Sequence, residues 1–415
     1  MSALLSVSEA LQRLLSHFSP LETERIELAE AAGRVLAEQV VAGFDLPPFP
    51  NSSMDGFALL ASDVGNAGLE NPVSLEVVAD VPAGQVVHLT IQSGQAARIM
   101  TGAPLPPGAE AVIPVEDTDF QYRQPGVRVP KRVQVFRPVQ AGENVRPGGQ
   151  DVRSGEVVMH PGFRLRPQDI GFLSMLGIAQ VPVHKIPSIA IFSTGDELLP
   201  VHMPLIPGKI HDSNTYTLIA LVEQTGGRAV NLGIVPDRAE EVQACLDRAA
   251  SAQVDLILSS AGVSVGAFDF VRSVVEQHGH LDFWRVNMRP GKPLAFGDYK
   301  GIPFIGLPGN PVSAFIGFEV FARPALLKMA GISGVERYTQ RVRLLEDISS
   351  DGRESYLRAI VSFQDGHLVA HLTGHQGSGN LRSLVQANAL LLVPSGVKSL
   401  PSGAEVDAWL LGQVK

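Results

Sequence analysis

Between residues 189 and 329 the chain alternates short apolar runs with helical patterns, and few architectures accommodate that alternation. Residues 189–193, 229–235, 254–259 and 303–307 read as strands, separated by helical patterns at 213–224, 239–250, 270–277 and 313–329. This order implies a parallel sheet covered by helices on both faces, a doubly wound α/β domain. Open sheets of this kind bind ligands beyond the carboxyl ends of their strands. Three glycine-broken segments fall at such positions: SSAGVSVGAFDF (259–270), MRPGKPLAFG (288–297) and GLPGNPVS (306–313). Gly262, Gly266, Gly291 and Gly309 let backbone N–H groups approach a ligand closely, and Arg289 with Lys292 supplies positive charge. Together they form the floor of an anion site.

A chain of 415 residues exceeds the usual limit of a single core, so several domains are expected. Residues 1–50 with 142–180 read as a helical and linker domain. It opens on Ser6-Val7-Ser8-Glu9, which has capping-box spacing, and a second helical pattern covers 28–41. Residues 51–141 read as a β-rich insert, 181–330 as the α/β domain, and 331–415 as a small barrel-like β domain with a hairpin turn at Asp365-Gly366.

The balance of 33 Lys+Arg against 42 Asp+Glu gives a net charge of −9, which argues against a general nucleic-acid binder. No apolar stretch reaches membrane-spanning length and the first residues lack a signal-peptide pattern, so no membrane partner and a cytoplasmic address are expected. The single cysteine, Cys245, shares a helix face with Val242, Leu246 and Ala249 and reads as packing.

Acidic residues gather at the same sheet edge. Ser193-Thr194-Gly195-Asp196-Glu197 ends the first strand, Asp212 precedes the next helix, and Asp269 follows the glycine-rich loop beside it. Asp212 and Asp237 each have an alternative reading as helix N-caps. Carboxylates gathered where phosphate is bound suit Mg²⁺, a hard cation that takes oxygen ligands, and Glu197 with Asp269 are the expected pair. Asn310-Pro311-Val312-Ser313 opens a helix whose first N–H groups can receive an oxyanion. No P-loop is present.

Six segments in order, NSSMDGFAL (51–59), RIMTGAPLPPGAEAVI (98–113), STGDEL (193–198), SAGVSVG (260–266), RPGKP (289–293) and GLPGNPVSA (306–314), resemble the molybdopterin molybdenumtransferases of the MoeA type, the group that includes the E domain of gephyrin. The resemblance implies a four-domain homodimer. It also implies insertion of molybdenum from molybdate into adenylylated molybdopterin, with release of AMP in the presence of Mg²⁺, and a pterin adenylyltransferase as a candidate partner that supplies substrate. Carried over by motif, Asp55, Thr101, Asp151, Glu197, Asp237 and Asp269 are the expected catalytic residues. Ser193, Thr194, Gly195, Asp212, Ser260, Gly262, Ser264, Gly266, Arg289, Lys292, Pro308, Gly309, Asn310, Pro311 and Ser313 are the expected substrate-binding set. The resemblance places Asp55 and Thr101 opposite the partner subunit's α/β domain. Two residues depart from the usual pattern: Arg289 stands where many relatives carry Lys, and Ala261 where many carry Gly. An adenylyltransferase-like enzyme and a non-catalytic dimeric scaffold are the alternative readings.

Overall fold

The computed structural model describes residues 4–120, 128–261 and 270–414. The chain divides into two compact units, one of residues 1–37, 161–170 and 180–415, the other of residues 38–160 and 171–179.

The first unit opens with helix α1 (Val7–Ser16), and its capping box is complete: Ser6 Oγ accepts from Glu9 N while the Glu9 carboxylate accepts from Ser6 N. Val7, Ala10 and Leu14 form the buried stripe. Strand β1 (Thr23–Glu27) follows. The helix expected over 28–41 is absent. A 3₁₀ turn at Leu28–Glu30 stops before Gly33, whose φ of 79° closes a helix, and Gly33, Leu36 and Ala37 send their N–H groups to the Leu165, Phe163 and Pro182 carbonyls. Tertiary pairing thus satisfies a backbone that its side chains alone would have allowed to coil.

The second unit is built on a five-stranded sheet, β2 (Gly56–Leu59), β3 (Val73–Val81), β4 (Gln95–Ile99), β5 (Ala111–Pro114) and β6 (Arg132–Val135), in the order β5–β2–β4–β3–β6. The expected β-rich character of this stretch is present. Helix α2 (Pro167–Met175) comes next in the chain, and β7 (Gln180–His184) pairs antiparallel with β1.

The rest of the first unit is the α/β domain and a barrel. The α/β elements are β8 (Ser188–Thr194), α3 (Asn214–Thr225), β9 (Arg228–Val235), α4 (Ala239–Ser251), β10 (Leu256–Ser260), α5 (Phe270–His278), β11 (Gly279–Arg285), β12 (Pro293–Tyr299), β13 (Ile302–Leu307), α6 (Pro311–Gly317) and α7 (Arg323–Met329). The sheet order is β9–β8–β10–β13–β12–β11, with the first four strands parallel and the last two antiparallel. Along β8 the two faces alternate cleanly. Ile189 and Ile191 enter one core with Leu256 and Ile305, while Ala190 and Phe192 enter the other with Cys245 and Phe304. The helix expected over 313–329 is interrupted by a π-helical turn at Phe318–Ala322. Pro324, just beyond it, has no N–H to donate to Val320, so the regular ladder cannot continue.

Strands β14 (Thr339–Leu344), β15 (Glu354–Gln364), β16 (His367–Leu372), β17 (Ala389–Val393) and β18 (Glu405–Leu410) close on themselves in the order β15–β16–β14–β18–β17–β15, a five-stranded barrel. Asp365 and Gly366, with φ of 48° and 81°, make the hairpin turn between β15 and β16. A two-residue strand, Met288–Arg289, pairs with β15 through Met288 opposite Glu354 and Arg289 opposite Ser355.

Candidate active site

From β8 the chain goes to β9 on one side and then to β10 on the other, so the sheet's switch point lies between β8 and β10. A cavity of about 850 Å³ opens at the carboxyl ends of these strands, lined among others by Thr194, Glu197, Ser260, Arg289, Lys292 and Ser313. Two glycine-broken loops and the end of β10 meet there, for two different reasons. Ser260 with Ala261, and the GLPGN segment, stand at the ends of the parallel strands β10 and β13. RPGKP instead precedes β12, and it reaches the same edge because β12 runs antiparallel to β13.

The acidic side comes from the loop after β8. Gly195 has φ of 146°, and a Cβ there would fall 2.6 Å from Glu197 Oε2, so the Glu197 carboxylate folds directly over a backbone that only glycine suits. Asp237, at the end of β9, donates its N–H to Asp196 Oδ1 at 3.3 Å. The expectation of an N-cap at Asp237 fails: Arg238 occupies that position in α4, without a side-chain cap. Burial pushes the Asp237 carboxyl above its usual range, and the charges of Asp196 and Glu197 push it further. Asp212 is not the N-cap either, since Ser213 holds that position in α3, but its side chain does serve the first turn. Its Oδ1 accepts from Asn214 N at 3.0 Å and Thr215 N at 3.2 Å, and Ser193 Oγ donates to it at 3.3 Å.

Folding therefore favours the protonated form of Asp237. The cost of holding it ionised is absent below the ordinary aspartate range, about pH 3.9, and grows as pH rises through the raised native value. Asp237→Asn is expected to melt higher than the parent at neutral pH, with the gap closing as pH falls toward that range. A melting difference that does not change with pH contradicts the assignment.

The cationic side comes from RPGKP and the barrel. Arg289 Nη1 lies 3.8 Å from Asp351, whose carboxylate is already engaged by Arg353 through Nε at 3.0 Å and Nη2 at 2.5 Å. Lys292 is exposed at the cavity wall and makes no ion pair among the described residues. Arg353, Gln376, Gly377, Ser378 and Gly379 also line the cavity, and the barrel that supplies them was not read from sequence as part of the site. Behind them Arg358 is fully buried, its guanidinium held by Gly377 O at 3.0 Å and Ser383 Oγ at 3.1 Å. Burial and the charge of Arg289 lower its pKa to about 10.

Asn214, likewise unforeseen, clips two loops together, donating from Nδ2 to Ser260 Oγ at 2.6 Å and to Gly309 O at 2.7 Å. The first turn of α6 is less open than expected, because Val312 N donates to Ser378 O at 3.1 Å. Pro308, Gly309, Asn310, Pro311 and Ser313 all line the cavity. Thr194 Oγ1 and Asn214 Oδ1 are buried without hydrogen-bond partners among the described residues; Thr194 Oγ1 lies near Asp237 but makes no hydrogen bond of normal geometry. Such groups are ready for a ligand.

Ala261, the departure noted in the sequence, sits at the cavity wall with φ of 69°. A left-handed conformation costs a residue with a Cβ about 1–2 kcal/mol. Ala261→Gly is expected to raise stability by roughly 0.5–1 kcal/mol once the greater freedom of glycine in the unfolded chain is subtracted. Denaturant unfolding of the two proteins checks this.

Gly262, Ser264, Gly266 and Asp269 lie outside the described residues. In the second unit, Asp55 and Thr101 are brought together: Thr101 donates to Asp55 Oδ1 from N at 2.8 Å and from Oγ1 at 2.7 Å. Asp151 is exposed there and paired with Arg146 at 2.6 Å.

Residues 5–177 match the MoeA N-terminal region (domain I and II), 190–328 a probable molybdopterin binding domain, and 341–411 the MoeA C-terminal region (domain IV). The chain is 38% identical over 392 residues to molybdopterin molybdenumtransferase 2 of Mycobacterium tuberculosis, covering 92% of this chain and 94% of that one. This chain belongs to the molybdopterin molybdenumtransferases. The enzyme of that name from Nostoc sp. is 39% identical over 395 residues, which cover 94% of this transferase and 88% of that protein. A solved molybdopterin biosynthesis MoeA protein from Pyrococcus horikoshii superposes with a TM-score of 0.80 at 34% identity, covering 98% of this chain and all of that one. The chain is thus an enzyme of molybdenum cofactor biosynthesis, with the MoeA-type multidomain fold.

Proposed function

We propose that the chain inserts molybdenum from molybdate into adenylylated molybdopterin and releases AMP. The observation that carries this reading is the polarity of the cavity. Glu197 stands on the β8 side, while Arg289, Lys292 and Arg353 stand on the side of β12 and the barrel. A tetrahedral dianion needs guanidinium and ammonium donors, which the second side supplies. The pterin nucleotide binds across the switch point, where Thr194 Oγ1 and Asn214 Oδ1 await hydrogen bonds.

Asp196, Glu197 and Asp237 are close enough to raise the Asp237 pKa by repulsion, and an all-oxygen donor set of this kind fits Mg²⁺. Among the described residues no group of three or more such side chains is placed to hold a metal ion, so an ion here would take most of its ligands from water and substrate oxygens. When bound it supplies the positive charge that draws off the negative charge of the departing AMP phosphate. Glu197, with Asp237 behind it, would hold it, and Asp269 is proposed as the further ligand. The carboxylates would keep that charge on the β8 side of the cavity. Arg289 and Lys292 hold the oxyanion, and the buried contacts of Asn214 tie the end of β10 to the loop after β13.

The Asp55–Thr101 pair is proposed to complete the cleft from a second copy of the chain, in a homodimer, with Asp151 at the same face. Sedimentation at micromolar concentration is expected to give a dimer; a fully active monomer contradicts it. No helix among the described residues is long and apolar enough to cross a membrane, and a cytoplasmic site of action is proposed. The deciding experiment mixes the protein with adenylylated molybdopterin, Mg²⁺ and either molybdate or tungstate and follows AMP. Oxyanion-dependent AMP release supports insertion. Consumption of ATP to form the adenylylated pterin identifies an adenylyltransferase instead, and absence of both supports a scaffold.

A further inference from the structure

At the far end of α3 lies a second, smaller hollow of about 380 Å³, lined by Arg164, Thr225, Glu319, Arg323 and Arg337 among others. Helix α3 begins at Asn214 beside the main cavity and ends at Thr225, so its twelve residues, about 18 Å of helix, separate the two. Three guanidinium groups meet one carboxylate here. Glu319 is only 4% exposed, and its Oε2 accepts from Arg337 Nε at 2.9 Å and Nη2 at 2.6 Å. That pair is neutral. Arg323 Nε stays 3.9 Å from the same oxygen, and its Nη1 reaches the Val335 carbonyl at 3.4 Å. Arg164 is held by carbonyls, those of Gly33 at 3.0 Å and Thr225 at 2.7 Å.

Neither Arg323 nor Arg164 has a carboxylate within hydrogen-bond distance among the described residues. Burial and the charge of Arg337 depress the Arg323 pKa, so the fold bears a cost to hold this cation in place. Glu319 neutralises one of the three guanidinium groups, so the hollow keeps two positive charges in excess. The last carbonyls of α3 disfavour an anion, but Arg164 already occupies the Thr225 oxygen. Arg323 retains 23% of its side-chain surface and can be reached from solvent.

We propose that this hollow binds a small tetrahedral dianion of the phosphate class, separately from the main cavity. Its two excess positive charges match the ligand, with Arg323 offering its planar fork and Arg164, whose two terminal nitrogens already donate to carbonyls, contributing charge. The test is calorimetric titration of the full chain with inorganic phosphate at constant ionic strength. It is run on the parent, on Lys292→Gln to weaken anion binding in the main cavity, and on Arg323→Gln and Arg164→Gln.

Phosphate uptake is expected to persist in Lys292→Gln and to weaken at least tenfold in each arginine variant. Arg323→Lys keeps the charge but not the fork and should recover part of the affinity; with Arg164→Gln it carries the comparison if Arg323→Gln fails to fold. Displacement of phosphate by AMP in the Lys292→Gln protein marks the ligand as nucleotide-borne, and its failure marks a free oxyanion. No uptake by the parent, loss of all uptake in Lys292→Gln, or equal uptake in parent and arginine variants overturns the proposal.

Discussion

Lys292→Gln is expected to raise the molybdate requirement for AMP release roughly tenfold to a hundredfold while leaving the melting temperature almost unchanged. The side chain projects from a loop closed by Pro290 and Pro293, is exposed at the cavity wall, and makes no ion pair among the described residues. Its positive charge is therefore uncommitted within the fold. Removing one charge-assisted hydrogen bond to a ligand costs about 1.5–3 kcal/mol, which corresponds to that range of affinity. Replacing an exposed side chain away from packing or caps changes stability by only about half a kcal/mol. Titration of molybdate at saturating pterin nucleotide checks the first part and calorimetry the second. An unchanged molybdate titration places the oxyanion elsewhere, whatever the melting temperature does.

Gly195→Ala is expected to damage both fold and turnover. At φ of 146° a residue with a Cβ is strained by about 1–3 kcal/mol, and the added carbon would lie 2.6 Å from Glu197 Oε2 and 2.8 Å from Glu197 Oε1. The flexible carboxylate yields more readily than the backbone, so Glu197 is displaced. A misplacement of about 1 Å at a reacting centre can cost on the order of a hundredfold. A lower melting temperature with a lower kcat for AMP release is the expected result. Should turnover stay at the parent level in a destabilised protein, Glu197 does not act at that position.

The doubly wound domain was legible because β8 and β10 are apolar on both faces and are bounded by glycine and polar turns, which leaves little else for such runs to be. The segment 28–41 misled for the opposite reason. Its Leu, Ala and Val spacing suits a helix, yet Gly33 and the pairing of Leu36 and Ala37 with distant carbonyls decide the outcome, and neither partner is adjacent in sequence. Pro324 was a visible signal for the break between α6 and α7. The acids and cations flanking the switch point could be named because they sit in the loops beside sheet strands. Asn214 could not, since its partners Ser260 and Gly309 are far from it in sequence, and Arg353 and Gln376–Gly379 could not, since they come from the barrel. One sign was available: Arg358 interrupts the apolar run from Tyr356 to Val361, and a cation that the barrel buries completely is there to hold something.

The small strand Met288–Arg289 gives the barrel mechanical purchase on the cavity. Its partner is β15, yet four residues later the same chain enters β12 of the α/β sheet. Arg353 reinforces the joint by donating to the Met288 carbonyl at 3.1 Å while gripping the aspartate beside Arg289. The barrel therefore cannot pivot without either pulling Arg289 along or tearing that short ladder. Any swing of the barrel would be carried to the cavity wall as a displacement of Arg289, coupling the barrel to the sheet edge through two residues.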